Sequence, residues 1–208
     1  MPMPFGLPPP DPQFEMFVAS HGMSQGLLQS DGVQLFPRAL VRVGSVQTGA
    51  QWRNISSVTA TGVAALFVRA DRAFGKTQVQ IGAAYRIKTG ARAVRQNRAW
   101  EYSVLVRRRV GKLGLRTLAE YSPREFDLGN SLYVEAGSSL DLGRGTSASV
   151  NIGRRERDGA PDYTSFNMAV SQAVGSELVL DARIYGTDRA DLGHRYRTRF
   201  ALSARLTL

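Results

Sequence analysis

Apolar and polar side chains alternate between Ser131 and Ile152. Leu132, Val134, Ala136, Leu140 and Leu142 fall on one side; Ser131, Tyr133, Glu135, Gly137, Ser139 and Asp141 fall on the other. After Gly143-Arg144-Gly145 the pattern resumes, with Ala148, Val150 and Ile152 against Ser147, Ser149 and Asn151. Successive side chains of a strand point to opposite faces, so this stretch reads as a β-hairpin with one apolar and one polar face. A soluble sandwich and a membrane barrel both present such hairpins.

Loop lengths separate the two. Tight Gly-centred turns at Gly44-Ser45, Gly75-Lys76, Gly111-Lys112, Gly143-Arg144-Gly145 and Gly175-Ser176 recur at intervals of 31 to 36 residues. Longer polar segments lie between them: SHGMSQGLLQSDG, NISSVTATG, KTGARAVRQNR, SPREFDLGNS, RERDGAPD and TDRADLGHR. The pattern predicts twelve strands, over 13–20, 33–43, 46–55, 63–74, 77–87, 99–110, 113–122, 131–142, 146–155, 162–174, 177–187 and 196–208. An even strand count, strands near ten residues, and short turns at one end with long loops at the other are the marks of an outer-membrane barrel. The expected fold is an all-β, single transmembrane antiparallel up-and-down barrel over 13–208, with short periplasmic turns and longer extracellular loops. Residues 1–12 form a Pro-rich lead-in.

Aromatic residues agree with that reading. Trp52, Tyr85, Trp100, Tyr102 and Tyr121 take the outward parity at strand ends far from the short turns, and Tyr196 opens the last strand. Amphipathic rings gather where hydrocarbon meets headgroups. The last strand, RTRFALSARLTL, sets Phe200, Leu202, Ala204, Leu206 and Leu208 on one face. A terminal amphipathic strand of this kind looks like the signal read by the outer-membrane assembly machinery, although that signal usually ends in Phe or Trp.

Charge takes the other parity. Arg38, Arg42, Arg53, Arg69, Asp71, Arg86, Glu101, Arg107, Arg109, Arg116, Glu120, Glu135, Asp141, Arg155, Asp181, Arg183, Arg199 and Arg205 all avoid the lipid face. One lipid-facing Arg at the bilayer midplane costs ~2–4 kcal/mol. These side chains must therefore see water or one another. Arginines outnumber carboxylates among them, so the interior is expected to be positive and to favour anions. The alternative is an Arg–carboxylate network that plugs the barrel. The loop cations Lys88, Arg92, Arg95 and Arg98 form a basic cluster suited to lipopolysaccharide phosphates or to plain solvation.

Composition adds limits. The 208 residues carry a net charge of +10, and 43% of them are hydrophobic. The mean hydropathy is −0.21. No apolar run is long enough for a transmembrane helix, but alternating strands escape hydropathy windows. There is no cysteine, hence no disulfide framework or thiolate metal site. The opening MPMPFGLPPPDPQ lacks the basic and apolar regions of a signal peptide. Export to the outer membrane requires one, which is expected to have been removed.

Catalysis has little to stand on. His21 lies near Ser20 and Ser24, and His194 near Asp191, all in long loops. Neither neighbourhood spells a triad. FGKT at 74–77 lacks the first glycine of a phosphate loop, Asn54-Ile55-Ser56 is an unremarkable sequon, and no calcium-loop spacing occurs. Nucleic-acid binding would need the cations in one stripe beside stacking aromatics, whereas here they are spread over many strands. No metal or organic cofactor is implied.

FVASHGMSQGLLQSDGVQLFPRA resembles the first hairpin of the TorF-like porin family. In that family a strand ends in an aromatic–Arg–Gly–Ile–Ser–Gln turn, followed by Thr/Ser–Asp–Gly. Gly22, Ser24, Gln25, Ser30, Asp31 and Gly32 match, while Ser20 and His21 replace the aromatic and the Arg. SLYVEAG, GAPDYTSFNMAV and LDARIYGTDRADLG are similar to the family as well. The resemblance spans about 13–208 and implies a proteobacterial outer-membrane barrel for diffusion of small solutes or ions, with no established substrate. Its implied surroundings are outer-membrane lipids and lipopolysaccharide. A closed structural or surface-interaction barrel is the competing function.

Overall fold

The structure, a computed structural model, describes residues 9–57, 59–92, 96–126 and 128–208. Twelve strands close into one antiparallel barrel: β1 (Asp11–Ala19), β4 (Gln34–Val43), β5 (Val46–Asn54), β6 (Gly62–Phe74), β7 (Thr77–Thr89), β8 (Arg98–Val110), β9 (Leu113–Ser122), β10 (Ser131–Gly143), β11 (Thr146–Arg157), β12 (Tyr163–Val174), β13 (Leu178–Thr187) and β14 (Arg199–Thr207). Two short strands, β2 (Gly22–Ser24) and β3 (Leu27–Ser30), form a separate hairpin inside the first long loop. Neighbours in sequence are neighbours in the sheet, and β1 closes the ring against β14 through pairs such as Phe17–Arg205. Closure removes every free strand edge, which a bilayer demands.

The short turns work as the sequence suggests. Gly44 at φ 58° joins Val43 to its partner Val46, and Gly111 at φ 59° joins Val110 to Leu113. Left-handed backbone at the first turn residue matches the twist of the flanking strands.

Burial is inverted relative to a water-soluble protein. Leu66 is 61% exposed and Ile152 59%, while Asn151 is 5% exposed and Arg155 6%. The two sets alternate along the same strands, so apolar side chains point out of the barrel and polar ones into it. A soluble sandwich would reverse this. On the outward face, charge occurs among the described residues only at Arg72, Arg98, Arg108, Arg154 and Glu156, all close to strand ends. The band between them is uncharged, and the molecule is a transmembrane barrel. Replacing Ile152 with Arg should therefore cost ~2–4 kcal/mol in reversible unfolding from lipid vesicles. The same change at the interior-facing Ser149 should cost far less.

Three details depart from the sequence reading. β1 starts at Asp11, so Pro12 pairs with Val41 at the barrel end inside the expected lead-in. β14 starts at Arg199 and not at 196, because Ala190–Leu192 and His194–Tyr196 coil into two 3₁₀ turns around Gly193. The first long loop carries the unexpected hairpin β2–β3.

Candidate functional site: the charged interior and its loop-covered mouth

The interior is assembled by parity. Each strand places every second side chain inward, and ladder partners share a face. Pairs such as Arg38–Gln51, Arg69–Gly82, Arg107–Arg116, Asp181–Ser171 and Arg199–Tyr185 bring the alternating charges onto one inner wall. Arg42, Arg53, Arg86, Glu101, Arg109, Glu120, Glu135, Arg155, Arg183 and Arg205 lie on that wall as well.

Ion pairs tie much of it together. Arg86 holds Glu101 at 2.5 Å, Arg38 holds Glu15 at 3.0 Å and Arg116 holds Glu135 at 3.2 Å. Arg183 meets Asp181 at 3.1 Å, Arg109 meets Asp141 at 3.0 Å and Arg42 meets Asp71 at 3.5 Å. Neutral groups continue the network. Asn151 donates to Asn167 at 2.8 Å, and Arg183 donates to the same Asn167 oxygen at 2.6 Å. Tyr133, fully buried, donates to Glu135 at 2.8 Å. A Cβ on the facing Gly153 would collide with the Tyr133 ring, so glycine there makes the room. Arg53 makes no ion pair among the described residues. Arg69 lies over the Phe67 ring, 4.6 Å from its centroid.

Two long loops fold over the mouth at the long-loop end. In the first, Gln25 and Gly26 take left-handed φ values of 52° and 80° and turn the β2–β3 hairpin. Leu27 and Leu28 are buried. The Ser56 amide donates to the Gln29 carbonyl at 2.7 Å, and Arg195 Nε donates to the Leu28 carbonyl at 3.2 Å. The hairpin crosses the mouth: Gln25 Nε2 donates to Glu120 on the far wall at 2.5 Å. In the second loop, residues 123–130, Phe126 is buried with Val63 and Ala99, and Ile55 packs against them. Glu125 meets Arg155 at 2.6 Å.

Beneath these loops lies a cavity of about 250 Å³. Its lining includes Arg38, Arg53, Arg69, Arg86, Arg155 and Arg157 against Glu101, Glu120 and Glu125. A second cavity, about 700 Å³, opens at the short-turn end. The upper space is positive even after its internal pairing.

Burial alone would raise the Glu125 carboxyl, but the charges of Arg155 and Arg86 outweigh it and hold the group below the usual carboxylate range. A lowered folded-state value stabilises docking above the ordinary carboxylate pKa and loses that contribution as pH falls through the lowered value. The 123–130 loop should therefore stay protected at neutral pH and open under acid. Amide exchange of residues 124–130 between pH 7 and pH 3 checks this.

The aromatic set divides. Tyr85, Trp100 and Tyr102 form a continuous outward row, with centroids 5.1 and 6.4 Å apart, and Tyr102 pairs with Tyr121. Trp52 joins it and donates to Thr89 at 3.1 Å. Tyr196 does not. It sits on the second 3₁₀ turn, 5.6 Å from the buried Tyr163 ring, and its hydroxyl accepts from Arg157 at 3.1 Å. The basic loop cluster divides too. Arg92 and Arg98 are exposed, while Lys88 takes the inward parity on β7 with its ammonium 4.7 Å from the Phe126 ring centroid. Arg95 lies outside the described residues.

The histidines stand apart from the interior wall. Ser20 Oγ and His21 Nδ1 are 3.3 Å apart on the surface, and His194 lies 3.8 Å from Asp31. Among the described residues no group of three His, Cys, Asp or Glu side chains is placed to hold a metal ion.

A closed twelve-stranded barrel with an apolar outer band and a charged interior defines a class, the outer-membrane barrel fold. No protein-family model and no curated protein matches the chain. Solved structures do. A structure described as KdgM porin superposes with a TM-score of 0.67 at 8% identity, over 93% of this chain and 98% of that one. NanC porin gives 0.60 at 8% identity, over 93% and 97%. The COG4313 outer membrane channel from Pseudomonas putida F1 gives 0.57 at 10% identity, over 99% and 96%. At these identities the likeness is one of fold.

Proposed function

We propose that the chain is a porin-type channel of the bacterial outer membrane that passes small polar or anionic solutes by diffusion. The observation that carries this reading is the excess of arginine over carboxylate around the upper cavity, with Arg53 making no ion pair among the described residues. Fixed cations lining a narrow aqueous space raise the local anion concentration. The fold likeness supports it: the KdgM porin has been solved in complex with disordered oligogalacturonate. The TorF-like resemblance of Gly22, Ser24, Gln25 and Ser30–Gly32 points the same way. In this reading the short turns are periplasmic, the assembly machinery reads β14, and the protein performs no reaction.

The test is ion selectivity. Under a KCl gradient the reversal potential should show chloride preference, and Arg53→Ala with Arg69→Ala should move it towards potassium. Potassium preference in the unaltered protein would contradict the proposal.

The folded loops favour a second reading, a closed barrel whose basic loops hold lipopolysaccharide or a partner. Arg92 and Arg98 remain free to serve it, whereas Lys88 is drawn inward to Phe126. A silent bilayer with a correctly folded barrel would favour this alternative.

A further inference from the structure

The short-turn end of the interior has a different charge pattern from the mouth. The lining of the cavity of about 700 Å³ there includes Lys76, Arg107, Arg109, Lys112 and Arg116, with Asp141 as the one acidic residue among the described residues. Asp141 is taken by Arg109, and Arg116 is paired with Glu135 deeper in the barrel. Lys76, Arg107 and Lys112 make no ion pair among the described residues.

The backbone sharpens the imbalance. Arg107 on β8 stands directly opposite Arg116 on β9, and like charges so placed repel. Glycine stands beside Arg116: Gly114 two residues before it, and Gly137 as its partner on β10. The Ser139 hydroxyl and the Asn151 side chain fill the room beside those two glycines, where a Cβ would collide with them. Hydroxyls of Ser139, Ser147 and Ser149 border the cavity. Unmatched cations, a facing Arg pair, hydroxyl donors and the cavity itself together suit an anion.

We propose that this vestibule binds one compact multivalent phosphate. Three unmatched positive charges call for a ligand that concentrates several negative charges on one group. Arg forks and Lys ammonium groups both suit phosphoryl oxygens. Binding draws on these side chains alone and does not require the lumen to conduct, so it stands apart from the diffusion reading.

The test uses the full-length barrel in neutral detergent, with tripolyphosphate as the probe and isothermal titration as the readout. Folding is verified by heat-modifiable gel mobility. Saturable one-to-one binding is expected. It should weaken roughly tenfold or more in the R107Q/K112Q variant, the loss appropriate to charge-assisted contacts. It should be unchanged in R92Q/R98Q at the opposite end. No saturable binding by the folded protein would overturn the proposal. So would binding that survives R107Q/K112Q, binding lost in R92Q/R98Q, or citrate binding as tightly as tripolyphosphate.

Discussion

Excising Gly22–Ser30 and closing the gap with a short Gly-Ser link should raise single-channel conductance several-fold. The hairpin lies across the mouth, with its tip on Glu120 of the far wall and Leu27 and Leu28 buried under it. It forms the roof of the 250 Å³ cavity, whose lining includes Ser24, Gln25, Leu27 and Gln29. A channel's resistance is set by its narrowest segment, so removing that segment has a disproportionate effect. The barrel should survive the excision. β1 and β4 pair over their full facing length without help from the loop, and surface loops tolerate length changes at low cost. Unchanged conductance would place the constriction deeper, at the Asn151–Asn167–Arg183 layer. The subtler variant Gln25→Ala removes only the cross-mouth hydrogen bond and should produce more frequent open events at unchanged maximum conductance.

Arg155→Met should release the 123–130 loop. Arg155 is buried, donates to Ser131 Oγ at 2.7 Å and holds Glu125 at 2.6 Å. Removing one partner of a buried pair leaves the other charge unsolvated, which costs about 3–5 kcal/mol. Here the loop has an escape, because swinging outward rehydrates Glu125. The loss should therefore appear as loop undocking, read as fast tryptic cleavage after Arg124, while the barrel still migrates as folded. The double variant Arg155→Met/Glu125→Gln removes both charges and should recover most of the protection. Cleavage that stays slow in Arg155→Met would show that Phe126, packed on Val63 and Ala99, anchors the loop by itself.

These expectations rest on parts of the molecule that differ in how far the sequence foretells them. Strand positions and facing were legible because a period of two is a local signal: Leu132 and Val134 against Tyr133 and Glu135 need no knowledge of the partner strand. The tight turns were legible because Gly44 and Gly111 mark backbone that other residues avoid. Loop placement is another matter. Whether a loop stands in water or folds over the mouth depends on contacts between residues far apart, such as Gln25 with Glu120 or Arg195 with Leu28. Faint signals existed. Leu27 and Leu28 are adjacent apolar residues in a polar loop, and Phe126 is a lone aromatic between Glu125 and Asp127. Each is an apolar group in need of cover. Tyr196 misleads for a related reason. Parity places it at the head of the last strand, but Gly193, at φ 107°, bends the chain into 3₁₀ turns and delivers the ring to Tyr163 instead. Lys88 shows the limit of reading charge runs as loops, because β7 extends to Thr89 and carries that ammonium inward.

The central claim is an aqueous passage lined by excess arginine. Single-channel recording of the purified, heat-modifiable barrel in a planar bilayer under a KCl gradient tests it most directly. The account predicts steady ohmic steps with a reversal potential on the chloride side. A bilayer that stays silent with folded protein present, or steps that favour potassium, would contradict it.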